Sequence, residues 1–199
     1  MKENYQKKLD TIIENLNKER PTLLLHSCCA PCSSYVLEYL SQYFKITILY
    51  YNPNISSEEE FQKRAGEEQR LIKDMELDDV ECIVAPYHPD EFYDISKGYE
   101  DEPEKGARCY RCYRLRLEAT AKKAKELGSD YFTTTLSISP LKNAQWLNDI
   151  GLELEKEYEV PYLVSDFKKK GGYQRSIQLS KEYDLYRQNF CGCIYSKNS

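Results

Sequence analysis

The sequence predicts an α/β fold, a single three-layer domain on a mainly parallel sheet, from three observations. Short apolar runs alternate with stretches of helical periodicity along the whole chain, the pattern of repeated strand–helix–strand units. A chain of 199 residues, 41% of them apolar, fills one core rather than two. The run "TLLLHS" at 22–27 lacks a polar alternation, as a strand covered on both faces does.

Each element follows in order. Leu9, Ile12, Ile13 and Leu16 fall at helical spacing, so about 4–18 is an amphipathic helix on the outside of the core, ending before Pro21. Residues 1–20 are thus an N-terminal amphipathic helix, and 21–199 are one α/β catalytic domain. After "TLLLHS", "CSSYVLEYLSQYF" reads as a helix with Val36, Leu37 and Leu40 turned inward, and "KITILYYNPN" as a strand stopped by Asn-Pro. Ser57 followed by Glu60 signals a helix start, and Phe61, Leu71, Ile72 and Met75 give that long helix its apolar side.

"VECIVAPY" is a third strand, and about 88–107 is a surface loop with a helical turn near 91–96. "CYRCYRLRLEATAKKAKELG" is a helix closed by Gly128. "YFTTTLSI" is a fourth strand, "NAQWLNDIGLELEKEY" a helix, "PYLVSD" a short fifth strand, and "GYQRSIQLSKEYDLYRQ" a last helix leading to "FCGC". The sheet is therefore expected to be Rossmann-like, of the HUP/PP-loop kind, with its site beyond the carboxyl ends of the strands. The thiols that follow strand one then lie on the floor of that site.

Composition excludes several classes. Charged residues make up 31% without a long Ser/Gly/Gln tract, which excludes a disordered or low-complexity chain. The start lacks the apolar stretch of a signal peptide, and no run approaches the roughly 18 residues of a membrane span, so the expected location is the cytoplasm, away from membranes. Net charge is −5, so a polyanionic partner needs a local basic patch. Arg108, Arg111, Arg114 and Arg116 form one candidate and Lys168, Lys169, Lys170 and Arg175 another, each equally readable as a solvated face.

Eight cysteines in a cytoplasmic chain point to metal or redox chemistry rather than structural disulfides. They fall into "CCAPC" at 28–32, "CYRC" at 109–112 and "CGC" at 191–193, with Cys82 left in an apolar run as a small hydrophobe. Cys29 with Cys32, and Cys109 with Cys112, have the C-x-x-C spacing that brings two thiolates to one metal or one cluster edge. Zinc and iron–sulfur share this donor set. Cys28 makes a fifth thiol, which a closed zinc site has no use for. His26, two residues upstream, is a candidate to hydrogen-bond a thiol from behind, and equally a satisfied strand histidine. If Cys32 and Cys109 open their helices, free N–H groups and the helix dipole stabilise thiolates there, with Arg108 and Arg111 adding positive charge. A C-x-C bridge is strained and easily reduced, which suits Cys191 and Cys193 to electron relay; metal ligation by the same two remains an alternative.

"LLLHSCCAPC", "RCYRCYRLRLEATA", "FTTTLSISP" and "DFKKKGGYQRSIQLSKEYDLYRQNFCGCIYS", in that order, resemble the cobalamin-independent, QueH-type epoxyqueuosine reductases over nearly the whole chain from about residue 21. The resemblance implies two-electron reduction of epoxyqueuosine to queuosine at the wobble position of a tRNA anticodon. It implies a [4Fe-4S] cluster and an additional mononuclear iron on Cys28, Cys29, Cys109 and Cys112, with Cys32 a further ligand, and a redox-active pair at Cys191 and Cys193. Electrons would come from an external low-potential donor of ferredoxin or flavodoxin kind, and no nucleotide cofactor is needed. A base in a single-stranded loop is held by stacking and phosphate contacts, for which Lys142, Lys168, Lys169, Lys170, Arg175, Tyr186 and Arg187 are the substrate or RNA candidates.

Three rivals compete. An ATP-dependent tRNA thiolase needs a Gly/Ser-rich phosphate loop after strand one, where "HSCCAPCS" stands instead. A non-enzymatic zinc-binding RNA or protein module predicts a colourless protein indifferent to reductant. A thiol–disulfide oxidoreductase built on "CGC" leaves the other five grouped cysteines unused.

Overall fold

The computed structural model describes residues 3–16 and 20–196. Helix α1 runs Tyr5–Glu14, strand β1 Thr22–Ser27, α2 Ala30–Leu40, β2 Lys45–Tyr50, α3 Glu58–Asp74 and β3 Glu81–Val84. Then come α4 Pro89–Ser96, α5 Ala107–Leu127, β4 Tyr131–Thr134, α6 Ala144–Tyr158 and α7 Gly172–Glu182. The sheet has four strands in the order β3-β2-β1-β4, and every pairing is parallel. The α/β expectation is met.

Side chains alternate across this sheet as the strand period of two requires. Leu23, Leu25, Ile46 and Ile48 enter one core with Val36 and Leu37 of α2, Leu71 of α3 and Phe167. Leu24 and Leu49 enter the other with Leu117 of α5, Phe132 of β4, and Leu147 and Ile150 of α6. Most of these side chains are fully buried, and each such leucine contributes about 2–3 kcal/mol of hydrophobic stabilisation. The N-terminal helix is no mere outer layer: α1 sends Leu9 into the first core and Tyr5 into the second.

Several boundaries differ from expectation for local reasons. The first helix stops at Glu14 with Asn15 as its cap, and the remainder of the expected span at 17–18 lies outside the described residues. The expected turn near 91–96 is a two-turn helix, α4, begun by Pro89. β4 ends at Thr134, whose hydroxyl accepts the Leu136 N–H at 3.1 Å and turns 135–138 into a 3-10 helix. "PYLVSD" is not a full strand. It joins β4 by one parallel bridge, Phe132 with Tyr162, beyond which the Thr133 hydroxyl donates to the Leu163 carbonyl at 2.8 Å.

The last helix stops six residues before Gln188. Asp184 adopts the left-handed conformation (φ 46°), and the Leu185 N–H closes on the Ser180 carbonyl at 2.8 Å, a Schellman ending made without glycine. Leu185 is buried behind it. This stop turns the chain back across the carboxyl ends of the strands.

Candidate metal centre

β1, β2 and β3 progress to one side, and the chain then crosses to place β4 on the other side of β1. The crevice beyond β1 and β4 is thus the switch point of the sheet, where ligands bind in open α/β folds. A cavity of about 320 Å³ lies there, lined by Cys28, Cys29 and Cys32 at its floor and by the 136–142 and 187–191 segments.

Local geometry gathers the floor sulfurs. Cys29 is the extended N-cap of α2 (φ −178°), and Pro31 in the first turn supplies a helical φ without an N–H to satisfy. The Cys29 carbonyl accepts the N–H groups of Cys32 and Ser33 at 3.0 and 3.1 Å. The sulfurs of Cys28, Cys29 and Cys32 lie within 4.8 Å of one another, close enough to hold a metal ion together. Hydrogen bonds from Cys29 and Cys32 hold the Cys28 thiol well below the usual range, and their contacts with Cys28 push those two up. Cys29, rather than Cys32, starts the helix, and Cys109 is the third residue of α5.

Cys109 and Cys112 line an adjoining cavity of about 10 Å³ together with Cys191 and Cys193. Cys109 Sγ takes the Lys105 N–H at 3.3 Å. Cys112 is buried, which raises its thiol, and it packs with Phe92 and Cys193. Arg116, Lys142 and Cys191 line both cavities, and so form the partition between the two thiol groups. All eight cysteines are free thiols, so Cys191 and Cys193 stand as a dithiol and not as the expected disulfide. Hydrogen bonding to Cys193, then Lys142 and Arg116, holds Cys191 well below the usual thiol range, and the shared contact with burial pushes Cys193 up.

The other expected residues divide. Both ring nitrogens of His26 are engaged within the sheet: Nε2–H donates to the Tyr51 carbonyl at 3.1 Å, and Nδ1 accepts from the Thr134 hydroxyl at 2.9 Å. Burial pushes its ring down to about 3, so it is neutral, and the carbonyl partner fixes the tautomer. Arg108 bonds the Tyr99 and Glu100 carbonyls, Arg111 the Ile95 carbonyl, and Arg114 the carboxylates of Glu153 and Glu157. Lys142 and Arg187 line the large cavity. Lys168 is paired with Asp166, Lys170 with Asp10, and Arg175 with Glu38, all outside the lining. The Lys169 N–H bonds the Asp166 carbonyl, and Tyr186 hydrogen-bonds Glu60 under the Lys63 ammonium.

Two buried charges, Arg64 and Glu68, went unread in the sequence, and a third, Arg116, was read only as part of a basic patch or solvated face, whereas it is buried. Arg116 is 1% exposed, with long contacts to the Cys112 carbonyl (3.3 Å) and Asn52 Oδ1 (3.4 Å) and no partner for Nη2. Burial opposes its charge, but the sulfurs of Cys112, Cys191 and Cys28 outweigh burial and hold the guanidinium above its usual range. Arg64 is 2% exposed, pairs with Glu60, donates to the Cys191 carbonyl and leaves its Nη2 unpartnered. Glu68 is fully buried, and neither oxygen makes a well-formed hydrogen bond; burial raises its carboxyl to about 7, which the nearby Ser33 and Ser27 hydroxyls, bonded to each other, offset only in part. The signal was present in the spacing. Arg116 follows Cys112 by four and Cys109 by seven, on one helix face, and Arg64 and Glu68 interrupt the Phe61, Ala65, Leu71 stripe of α3.

These features define a class: a doubly wound α/β protein whose switch-point crevice is lined with thiols where nucleotide-binding relatives of the fold have a phosphate loop. Residues 23–199 match the family model described as epoxyqueuosine reductase QueH. The chain belongs to this family. It is 44% identical over 198 residues to the epoxyqueuosine reductase QueH of Streptococcus pyogenes, covering 97% of this chain and 78% of that one. It is 45% identical over 200 residues to the protein of that name from Staphylococcus epidermidis (97% and 84% covered). Against that of Thermotoga maritima it is 36% identical over 181 residues (88% and 90% covered).

Proposed function

We propose that this chain reduces epoxyqueuosine to queuosine at the wobble position of a tRNA anticodon, in the cytoplasm, with residues 21–199 as the catalytic unit and 1–20 as an N-terminal segment that carries α1. One observation carries the reading: thiols from three distant segments line two cavities that share the wall of Arg116, Lys142 and Cys191 at the switch point of the sheet.

The donor set suits iron and sulfide. Thiolates are soft ligands of the kind that hold iron–sulfur clusters, and the three floor sulfurs are already gathered on the scale of one ion. Cys28, Cys29, Cys109 and Cys112 are assigned to a [4Fe-4S] cluster and an additional iron, with Cys32 as a further ligand. Such a centre, when bound, supplies low-potential electrons and a Lewis acid for a departing oxygen. Arg116, which has no carboxylate partner among the described residues, provides the buried positive charge that an assembly of thiolates requires.

Reduction of an epoxide to an alkene takes up two electrons and two protons and releases water. Closure of the Cys191–Cys193 dithiol to a disulfide releases that same number of electrons and protons, and a ferredoxin- or flavodoxin-like donor would restore the pair. Lys142 and Arg187 line the substrate cavity, and Lys168, Lys169, Lys170, Arg175 and Tyr186 are assigned to the tRNA outside it.

Anaerobic incubation with tRNA carrying epoxyqueuosine and a strong reductant, followed by nucleoside mass analysis, is expected to show loss of one oxygen. Replacing Cys109 or Cys112 with Ser is expected to abolish the brown colour of an iron–sulfur centre and the activity together, whereas Cys191→Ser is expected to keep the colour and lose turnover. A colourless, zinc-loaded wild-type protein would sink the assignment.

A further inference from the structure

The two cysteines of "CGC" are not equivalent. Cys191 lines both cavities, and the Lys142 ammonium stands 3.1 Å from its sulfur, a charge-assisted contact. Cys193 lines only the small cavity, is 8% exposed, and packs against Phe92 and Cys112. We propose that Lys142 is a positioning residue that makes Cys191 the reactive, substrate-facing sulfur and leaves Cys193 as the buried partner with which it pairs. The inference rests on reading Cys191 and Cys193 as the working thiols.

The surroundings support that division. The Lys142 side chain is 9% exposed, and its other anionic neighbour, Glu104, is farther away at 3.7 Å. Lys142 follows a turn fixed by Ser139, whose carbonyl takes the Lys142 N–H at 3.1 Å and whose hydroxyl takes the Leu141 N–H at 3.2 Å. The loop opposite is pinned as well. Arg64 donates to the Cys191 carbonyl at 3.3 Å, and the Ser56 N–H to the Gly192 carbonyl at 2.9 Å. Arg116 adds a second cation at the shared wall. The large cavity gives a reagent access to Cys191, at a wall that also carries two cations, whereas Cys193 is shielded behind Phe92 and Cys112, so the first sulfur is the more reactive nucleophile.

The test is alkylation of the anaerobic holoenzyme by iodoacetamide, with each site followed by peptide mass spectrometry. The attacking sulfur forms the new carbon–sulfur bond and iodide leaves, so no redox step is involved and the result is independent of reductase activity. Cys191 is expected to react roughly tenfold or more faster than Cys193. Lys142→Met should slow Cys191 by about tenfold at unchanged far-ultraviolet circular dichroism, and Lys142→Arg, which keeps the charge, should restore most of the rate. Should Lys142→Met fail to fold, Cys191→Ser and Cys193→Ser decide: fast labelling must vanish in the first and persist in the second. Preferential labelling of Cys193, or an undiminished rate in Lys142→Met, overturns the proposal.

Discussion

Charge is handled in opposite ways in two regions of this molecule. On the face formed by α1, α2 and α7, Lys170, Arg175 and Asp10 are matched within the chain, and Arg175 grips Glu38 through two nitrogens. Around the thiols, Arg116 and Glu68 are buried without a carboxylate or ammonium opposite them, and Arg64 keeps one nitrogen unpartnered. Exposed pairs add little to stability, and buried unpaired charges cost a good deal. That these buried charges stand beside the cysteines is the arrangement expected of a crevice built around a charged occupant.

Glu68 tests this most severely. Its folded value of about 7 stands above the 4.5 of an ordinary glutamate, so the native state holds the proton more tightly than the unfolded chain. The stability of the protonated form is complete below 4.5 and drains away as pH rises through 7, by about 3 kcal/mol in all. Urea unfolding across that window should show the slope in wild type and lose it in Glu68→Gln, which should exceed wild type at alkaline pH. Parallel curves would mean that Glu68 is compensated.

Arg116 and Arg114 offer a comparison within one helix. Arg116→Met should lower the iron retained per chain, with metal affinity falling roughly tenfold, as for the loss of other groups behind metal ligands. Arg114→Met, which breaks exposed pairs to Glu153 and Glu157, should leave iron untouched and move stability by less than about 0.5 kcal/mol. Equal iron in both variants would remove Arg116 from the account.

The smallest effects are expected on the paired face. Neutralising Lys168, Lys169 and Lys170 should weaken tRNA binding and flatten its dependence on salt. Lys168 and Lys170 must first release Asp166 and Asp10, so the loss per lysine should be below that of Arg187→Ala, roughly 1 kcal/mol. Unchanged affinity and slope in the triple variant would exclude the patch.

The contrast also explains what the sequence made legible. Strand β1 and the three sulfurs after it could be read because hydrophobic runs and C-x-x-C spacing are local signals. The basic clusters were equally visible, but acidic partners dozens of residues away decide whether such a cluster is free, as Asp10 does for Lys170. The stop at Asp184 was illegible because a Schellman ending usually advertises itself by glycine. That missed stop is what carries Arg187 to Cys191 into the cavity wall.

Gly192 separates the two tail cysteines with φ at 111°, and a β-carbon there would stand 3.1 Å from both Ile55 and Arg64. Other residues rarely adopt that backbone, and the neighbours leave little room for a side chain. Tolerance to substitution in this stretch should therefore be narrowest at the one position that has no functional group at all. A reader scanning variants for lost chemistry would find the sulfurs flanking a spacer that is just as unforgiving, for reasons of shape alone.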